Sequence, residues 1–168
     1  MNLSFYQASV PVFDRALANL SAILAKGAAH AAAQGLDPAE LLQARLAPDM
    51  FPLVRQVQSA SDTAKGAAAR LAGLEVPRYE DTESTFAELQ ARIERTRAFL
   101  ASVPPAFFEG AAERAVVLTL RSGEKHFDGS GYLLNFALPN FFFHVVTAYD
   151  ILRHRGVDIG KRDYLGEL

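Results

Sequence analysis

The sequence has 168 residues, half of them hydrophobic, and its formal net charge is −2. This length and hydrophobic content are typical of one domain with a real core, spanning 1–168, whereas the near-neutral charge gives no electrostatic basis for binding nucleic acid or an anionic membrane. Cysteine is absent, which excludes disulfides, thiolate metal ligands and a nucleophilic thiol.

From Leu3 to about Gln34 the apolar residues recur at intervals of three and four, which predicts an amphipathic helix that ends at Gly35. Pro11 suits the first turn of a helix that begins near Ser9, or else it kinks a longer helix. The start of the chain shows neither a basic leader nor a small-residue cleavage site, so we expect no signal peptide. The apolar positions of this helix are Phe13, Leu17, Leu20, Ile23 and Leu24.

Asp37 caps a short helix that we expect to end at Pro48. A third helix is predicted from Asp49 to Ala72, with a narrow stripe of mostly small residues that would let a neighbouring helix approach closely. Gly66 lies inside it, where glycine costs about 1 kcal/mol relative to alanine, and either close packing or a tolerated defect explains it. The stripe is formed by Leu53, Val57, Ala60, Ala64, Ala68 and Leu71.

A fourth helix is predicted to begin at a cap, Thr82 or Ser84, and to end before Val103. Glu88 and Arg92 are four residues apart on its outer side. This spacing predicts a helpful pair of opposite charges on a solvated face.

Between Ala115 and Phe127 the helical period gives way to the β-branched run VVLTL, a turn RSGE and the run KHF, which together predict a two-stranded hairpin. An isolated hairpin is marginal in water, so we expect this one to lie on the helices or to pair with another chain. The tail from Gly160 to Leu168, which contains Tyr164, has the same two options: the bundle itself or a partner subunit.

The last predicted helix, Ser130 to Arg155, has almost no polar face. Pro139 predicts a kink, because its ring clashes with the carbonyl group of Asn135. The three consecutive phenylalanines Phe141 to Phe143 point about 100° apart, so one bundle core cannot receive all three. The surplus apolar face predicts a homodimer through this helix.

A membrane span is not expected from this helix. Its longest apolar stretch, Tyr132 to Val146, is interrupted by Pro139 and by polar residues, whereas a span needs about 20 mainly apolar residues. A cytoplasmic protein is therefore the default expectation.

Four substantial helices with one short extra helix and one hairpin before the last helix predict an all-α four-helix bundle. The runs DMFPLVRQVQ, AKGAAARLAG, LPNFFFHVVTAYDILRHRGV and KRDYLG resemble the DinB-like superfamily of four-helix bundles, and more closely a bacterial branch known only as a domain of unknown function. The resemblance extends over nearly the whole chain and implies a DinB-like fold.

Members of that superfamily commonly bind a divalent metal through one histidine on the second long helix and an HxxxH pair on the last, and some are thiol-dependent transferases or isomerases. The resemblance places the second histidine of the pair at His144 and the first at Asn140. Amide oxygens are weak ligands for zinc or nickel, so we expect a degenerate site with at most a weakly bound divalent metal at His144. The second long helix has no histidine and offers Gln56, Gln58, Ser59 and Asp62 near the expected place.

Asn140 lies one helical turn before His144, so the two side chains are expected to converge inside the bundle. His144 is suited to act as a catalytic general base or a ligand anchor, because the unperturbed pKa of histidine, about 6.5, is close to working pH. The alternative is a core histidine satisfied by Asn140, Gln58 or a backbone carbonyl. The candidate ligand-binding residues are Asn140, Gln58 and Asp62.

The sequence leaves two hypotheses about the function of the protein. The leading hypothesis is a dimeric small-molecule-binding or structural bundle whose metal site has degenerated. The alternative is a metal- or thiol-dependent transferase or hydrolase that uses His144 in a bundle pocket. The sequence has no GxSxG, P-loop or GxGxxG motif, so it does not decide whether the protein is an enzyme.

Overall fold

The computed structural model describes residues 3–120 and 122–167. Arg121 of the predicted hairpin turn, Leu168 of the tail and the first two positions of the predicted 1–168 domain lie outside them. The elements in chain order are α1 (Phe5–Gln34), α2 (Pro38–Leu42), α3 (Leu53–Ala72), α4 (Phe86–Ser102), a 3₁₀ turn (Pro105–Phe108), β1 (Val116–Leu120), β2 (Gly123–Phe127), α5 (Gly129–Tyr132), a π-helical turn (Leu133–Ala137), α6 (Leu138–His154) and α7 (Lys161–Leu165). The predicted helical bundle with a short extra helix and a hairpin before the last helix is confirmed.

The helix starts differ from the predicted ones because local capping decides them. Ser4 and Gln7 form a capping box, with the Gln7 amide nitrogen 3.1 Å from the Ser4 hydroxyl, so α1 begins at Phe5 and Pro11 lies inside it. The longer of the two predicted helices is therefore correct. A second capping box joins Thr85 to Glu88 and places the start of α4 after the two predicted caps, Thr82 and Ser84.

The second long helix begins four residues later than predicted, at Leu53, and the short helix before it is reduced to five residues, Pro38–Leu42. Between them the chain runs as turns, and the Leu53 amide donates to the carbonyl oxygen of Ala44 at 3.0 Å. Pro52 holds the N-cap position of α3 with extended backbone, which is compatible with its fixed φ.

The core lies where α3 meets α1 and α6. All six residues of the predicted small-residue stripe on α3 are fully buried. Phe141 is also fully buried, and its ring meets that of Phe13 edge to face at 4.9 Å. Phe142 is half-buried and Phe143 is 55% exposed, as the geometry of three consecutive helical residues requires.

The last long helix consists of α5, the π turn and α6 in unbroken succession. Pro139 is the second residue after the π turn, and the Leu138 amide donates to the carbonyl oxygen of Leu133 five residues earlier. The π turn therefore replaces the α-helical hydrogen-bond pattern next to Pro139, which has no backbone N–H to donate to the preceding turn. Within the described residues, no helix combines the length and the apolar character that crossing a membrane requires.

The hairpin and the tail both pack on their own chain. Val116 and Leu118 of β1 are buried in the same core cluster as the helices. The tail forms α7 and returns to α1, where the Asn19 side chain donates to the carbonyl oxygen of Tyr164 at 3.0 Å and Lys26 pairs with Asp163 at 2.6 Å. Of the two options that the sequence left open for the tail, the bundle is correct.

Candidate functional site

His144 of α6 faces α3 and is 9% exposed. Its Nδ1 lies 2.7 Å from Oε1 of Gln56, while Nε2 of the same amide donates to the carbonyl oxygen of Phe51 at 3.1 Å. Because the amide nitrogen is already engaged, the oxygen faces the imidazole, and Nδ1 must carry the hydrogen. The predicted partners Asn140 and Gln58 do not satisfy His144, since Gln56 does.

The surroundings of His144 favour the neutral imidazole. Burial is the main cause that lowers its pKa below the ordinary value, and the positive charge of Arg55 lowers it further. With Nδ1 occupied, a proton-transfer role would depend on Nε2 alone.

Asn140 faces α3 one turn earlier and bonds to a different residue. Its Nδ2 donates to Oγ1 of Thr63 at 2.8 Å, and the Thr63 hydroxyl donates in turn to the backbone carbonyl of Ser59 at 2.8 Å. Asn140 and His144 thus share a helix face but form two separate links between α6 and α3.

Gln58 and Asp62 project from α3 into a different network, which involves α4 and the connection that precedes it. Nε2 of Gln58 donates to Glu83 at 2.9 Å. Asp62 accepts from Lys65 at 2.5 Å and from Arg92 at 2.7 Å. Gln58 therefore does not lie with His144 in one site.

Arg92 is the centre of this network and corrects a prediction. Its side chain is 2% exposed, where an exposed pair with Glu88 was predicted. Besides Asp62, it contacts Glu83 at 3.0 Å and Asp81 at 3.1 Å. The connection between α3 and α4 covers this part of α4 and supplies both carboxylates, a long-range packing that helix spacing cannot reveal.

Tyr79 lies above the same network and is surrounded by cations. The ring centroid is 4.0 Å from the Arg95 guanidinium, 4.6 Å from Nζ of Lys65 and 5.4 Å from the Arg92 guanidinium. Sequence reasoning missed this cluster; the acid-rich run Glu80 to Glu83 in the connection was the available signal.

A polar cleft of about 220 Å³ opens between α3, the start of the last long helix and the hairpin. It brings together Asn140 and Asp62 among the predicted site residues, and His144 and Gln58 do not line it. Its polar lining also includes Thr63, Arg70, Thr119 and Tyr132, and its apolar lining is Leu118, Leu120 and Phe136.

Arg70 and Tyr132 are the pair that sequence reasoning did not find in this cleft. Nη1 of Arg70 lies 3.2 Å from the Tyr132 hydroxyl. Burial is the main cause that raises the pKa of Tyr132, which keeps the hydroxyl protonated, while the charge of Arg70 and its hydrogen bond act in the opposite direction.

Comparison with known proteins identifies the family. Residues 5–165 match the model of a domain of unknown function, DUF1993. The chain belongs to this DUF1993 family. It is also similar to the crystal structure of a DinB family member protein from Shewanella denitrificans, with 42% sequence identity, a TM-score of 0.90, and coverage of 97% of this chain and 92% of that chain. A search of curated proteins gives no match.

These comparisons confirm the resemblance and the DinB-like fold of the DUF1993 protein. Whether the chain can bind a metal depends on the donor atoms at the positions implied by the resemblance. At the positions implied by the resemblance, the last long helix has one imidazole, His144, and the Asn140 amide. The second long helix offers Gln56, which bonds to His144, and also Gln58, Ser59 and Asp62. Among residues 3–120 and 122–167 no three histidine, aspartate or glutamate side chains are grouped as metal ligands. This donor set does not fit zinc or nickel.

Proposed function

We propose that this DUF1993 protein binds a small molecule in the cleft between α3, the start of the last long helix and the hairpin, without a transition metal. The observation that carries the proposal is the convergence of Arg70, Tyr132 and Asn140 on one cleft. A few polar groups placed among apolar walls are the usual composition of a small-molecule site.

The size of the cleft limits the ligand. Pockets for drug-sized molecules are about 300–1,000 Å³, and this one is smaller, about 220 Å³. Leu118 and Phe136 give it apolar walls, and the Asn140 amide and Thr63 hydroxyl give it hydrogen-bonding groups. A compact ligand with both polar and apolar parts suits this lining.

The alternative, a metal- or thiol-dependent transferase or hydrolase that uses His144, has less support. A general base must reach the proton that it abstracts. His144 does not line the cleft, and its Nδ1 is bonded to Gln56. Asp62, which does line the cleft, is paired with two cations.

Two-dimensional ¹H–¹⁵N NMR of the labelled protein tests the proposal with a panel of neutral, cationic and anionic small molecules. We expect at least one class to shift the resonances of Thr63 and Gly66 and the side-chain amide of Asn140. If no member shifts these resonances, the proposal fails. Metal analysis of the purified protein completes the test, because stoichiometric metal that is lost in His144→Ala would favour the enzyme.

We also propose that two copies associate through the last long helix. The support is its outward apolar side chains: Leu134 is 60% exposed, Phe143 55% and Val146 38%. Monomers seldom expose a large apolar patch, and a twofold dimer is the commonest closed solution. Light scattering should give twice the 18.3 kDa of one chain, and Phe143→Ser should give the monomer. A monomeric native protein would refute the dimer.

A further inference from the structure

We propose that the ligand of this cleft is a small carboxylate, held by the Arg70 guanidinium and the Tyr132 hydroxyl. This inference rests on the proposed binding function and adds the chemical class of the ligand.

The first support is the missing counter-ion of Arg70. Arg55, Arg92 and Arg97 each pair with a carboxylate of their own chain. Arg70 is half-buried, yet no carboxylate among residues 3–120 and 122–167 lies within ion-pair distance of it. A guanidinium that faces a cleft and forms no ion pair with its own chain has its strongest donor sites open to a ligand anion, and its planar fork matches a carboxylate.

Arg70 is not needed at the C-terminal end of α3, although a cation there would suit the helix dipole. The guanidinium of Arg114 already donates to the carbonyl oxygen of Leu71 in that last turn. The Arg70 guanidinium instead folds back by one turn, over Gly66. A Cβ atom on Gly66 would lie 2.5 Å from Nη1 of Arg70, so glycine leaves the space that this orientation uses.

Tyr132 supplies a second donor beside the guanidinium. Tyr132 is buried and lines the cleft, and its hydroxyl oxygen accepts the hydrogen bond from Arg70 at 3.2 Å. A guanidinium cannot accept a hydrogen bond, so the phenolic hydrogen of Tyr132 must point to a group other than Arg70. A carboxylate that bonds to Arg70 is placed to accept from this hydrogen with its second oxygen.

The lining favours a carboxylate over a more highly charged anion such as phosphate. Asp62 lines the same cleft, and its negative charge would repel a dianion more strongly than a monoanion. The walls formed by Leu118 and Phe136 suit a short apolar part next to the acid.

The test is an NMR titration with acetate, propionate and butyrate, their primary amides as neutral isosteres, and inorganic phosphate. We expect the carboxylates to shift the cleft resonances and the Arg70 side-chain Nε–H, and the amides to bind at least about tenfold more weakly, since charge-assisted hydrogen bonds are about twice as strong as neutral ones. Arg70→Gln should weaken carboxylate binding by the same factor. Arg78→Gln removes an equal charge from an exposed residue outside the cleft and should leave binding unchanged.

Gly66→Ala is the second variant, because it keeps the arginine but pushes its guanidinium aside. It should weaken carboxylate binding while leaving the protein at least as stable, since alanine is the better helix former and the obstructing atom is the end of a flexible side chain. Equal binding of acids and amides, or preference for phosphate, would overturn the carboxylate assignment but leave the binding function standing. No cleft shift with the carboxylates or with the broader panel would overturn both.

Discussion

The imidazole Nδ1 of His144 lies 2.7 Å from Oε1 of Gln56, a residue 88 positions earlier in the chain. This bond joins the last long helix to the second at the place where the superfamily resemblance implies a metal ligand. The bond engages one ring nitrogen of the imidazole and the amide oxygen of Gln56, both inside the protein. We therefore expect His144 to contribute to stability through its partner, and the first two predictions concern this pair.

Removing the amide should leave the buried imidazole donor without its partner. We expect Gln56→Ala to lower the free energy of unfolding by about 1–3 kcal/mol, the usual cost of an unsatisfied buried donor. Urea unfolding at neutral pH measures it. Gln43→Ala, at an exposed position after α2, is the matched control and should change stability by less than about 0.5 kcal/mol. Equal effects of the two substitutions would contradict a stabilising role for the Gln56–His144 bond.

The same histidine should make stability depend on pH. Burial and the charge of Arg55 lower its pKa in the folded protein, so as the pH falls the unfolded chain takes up a proton near its ordinary pKa of about 6.5 before the folded protein does. The contribution of His144 to stability is therefore present above about pH 6.5 and decreases as the pH falls toward the folded pKa.

Urea unfolding from about pH 7.5 to about pH 5 measures this dependence, since the range includes the ordinary histidine pKa. We expect His144→Gln to flatten the decline in stability, because glutamine does not titrate. His154→Gln removes an exposed histidine at the end of α6 and should keep the wild-type slope. An unchanged slope in His144→Gln would show that other groups cause the decline.

The buried charge of Arg92 should be the most sensitive single position in the α3–α4 network. Arg92→Met leaves Asp62, Asp81 and Glu83 without their shared cation. We expect a loss of about 1–3 kcal/mol, because these carboxylates are partly exposed and two of them keep another cation. Arg95→Met removes the same charge from an exposed position on the same helix and should cost at most about 1 kcal/mol, the value of an exposed cation–π contact. Thermal and urea unfolding of the two variants should separate them clearly. Similar losses would mean that the network carries little energy.

Gly129 should tolerate no side chain. A Cβ atom there would overlap the backbone carbonyl oxygen of Ala111, against which the start of the last long helix is packed. The Ser130 amide donates to the neighbouring carbonyl of Ala112 at 3.0 Å and fixes this approach. We expect Gly129→Ala to cost about 1–3 kcal/mol or more, as overpacking does, whereas Gly160→Ala, with open space around it, should cost little. Equal melting temperatures would contradict the close approach.

Regular patterns in the sequence were sufficient for the helical bundle. The small-residue stripe of α3 and the spacing of Phe141 to Phe143 predict burial and exposure correctly, because a helix repeats its direction every 3.6 residues whatever its neighbours are. Helix starts were less predictable. At the start of α4, Thr82, Ser84 and Thr85 are all acceptable caps by residue type. The bond that selects Thr85 is donated by the Glu88 backbone amide to the Thr85 hydroxyl.

The tertiary structure alone decided which polar groups meet. Periodicity places His144 and Asn140 on one face, but their partners Gln56 and Thr63 come from a distant helix whose register against α6 is set by core packing. Helix spacing alone places Arg92 on the exposed face of α4, whereas in the folded protein the connection before α4 covers it. Arg70 and Tyr132, 62 residues apart in sequence, form the candidate binding site only because packing against the α3 core and the Gly129 contact bring their helices together.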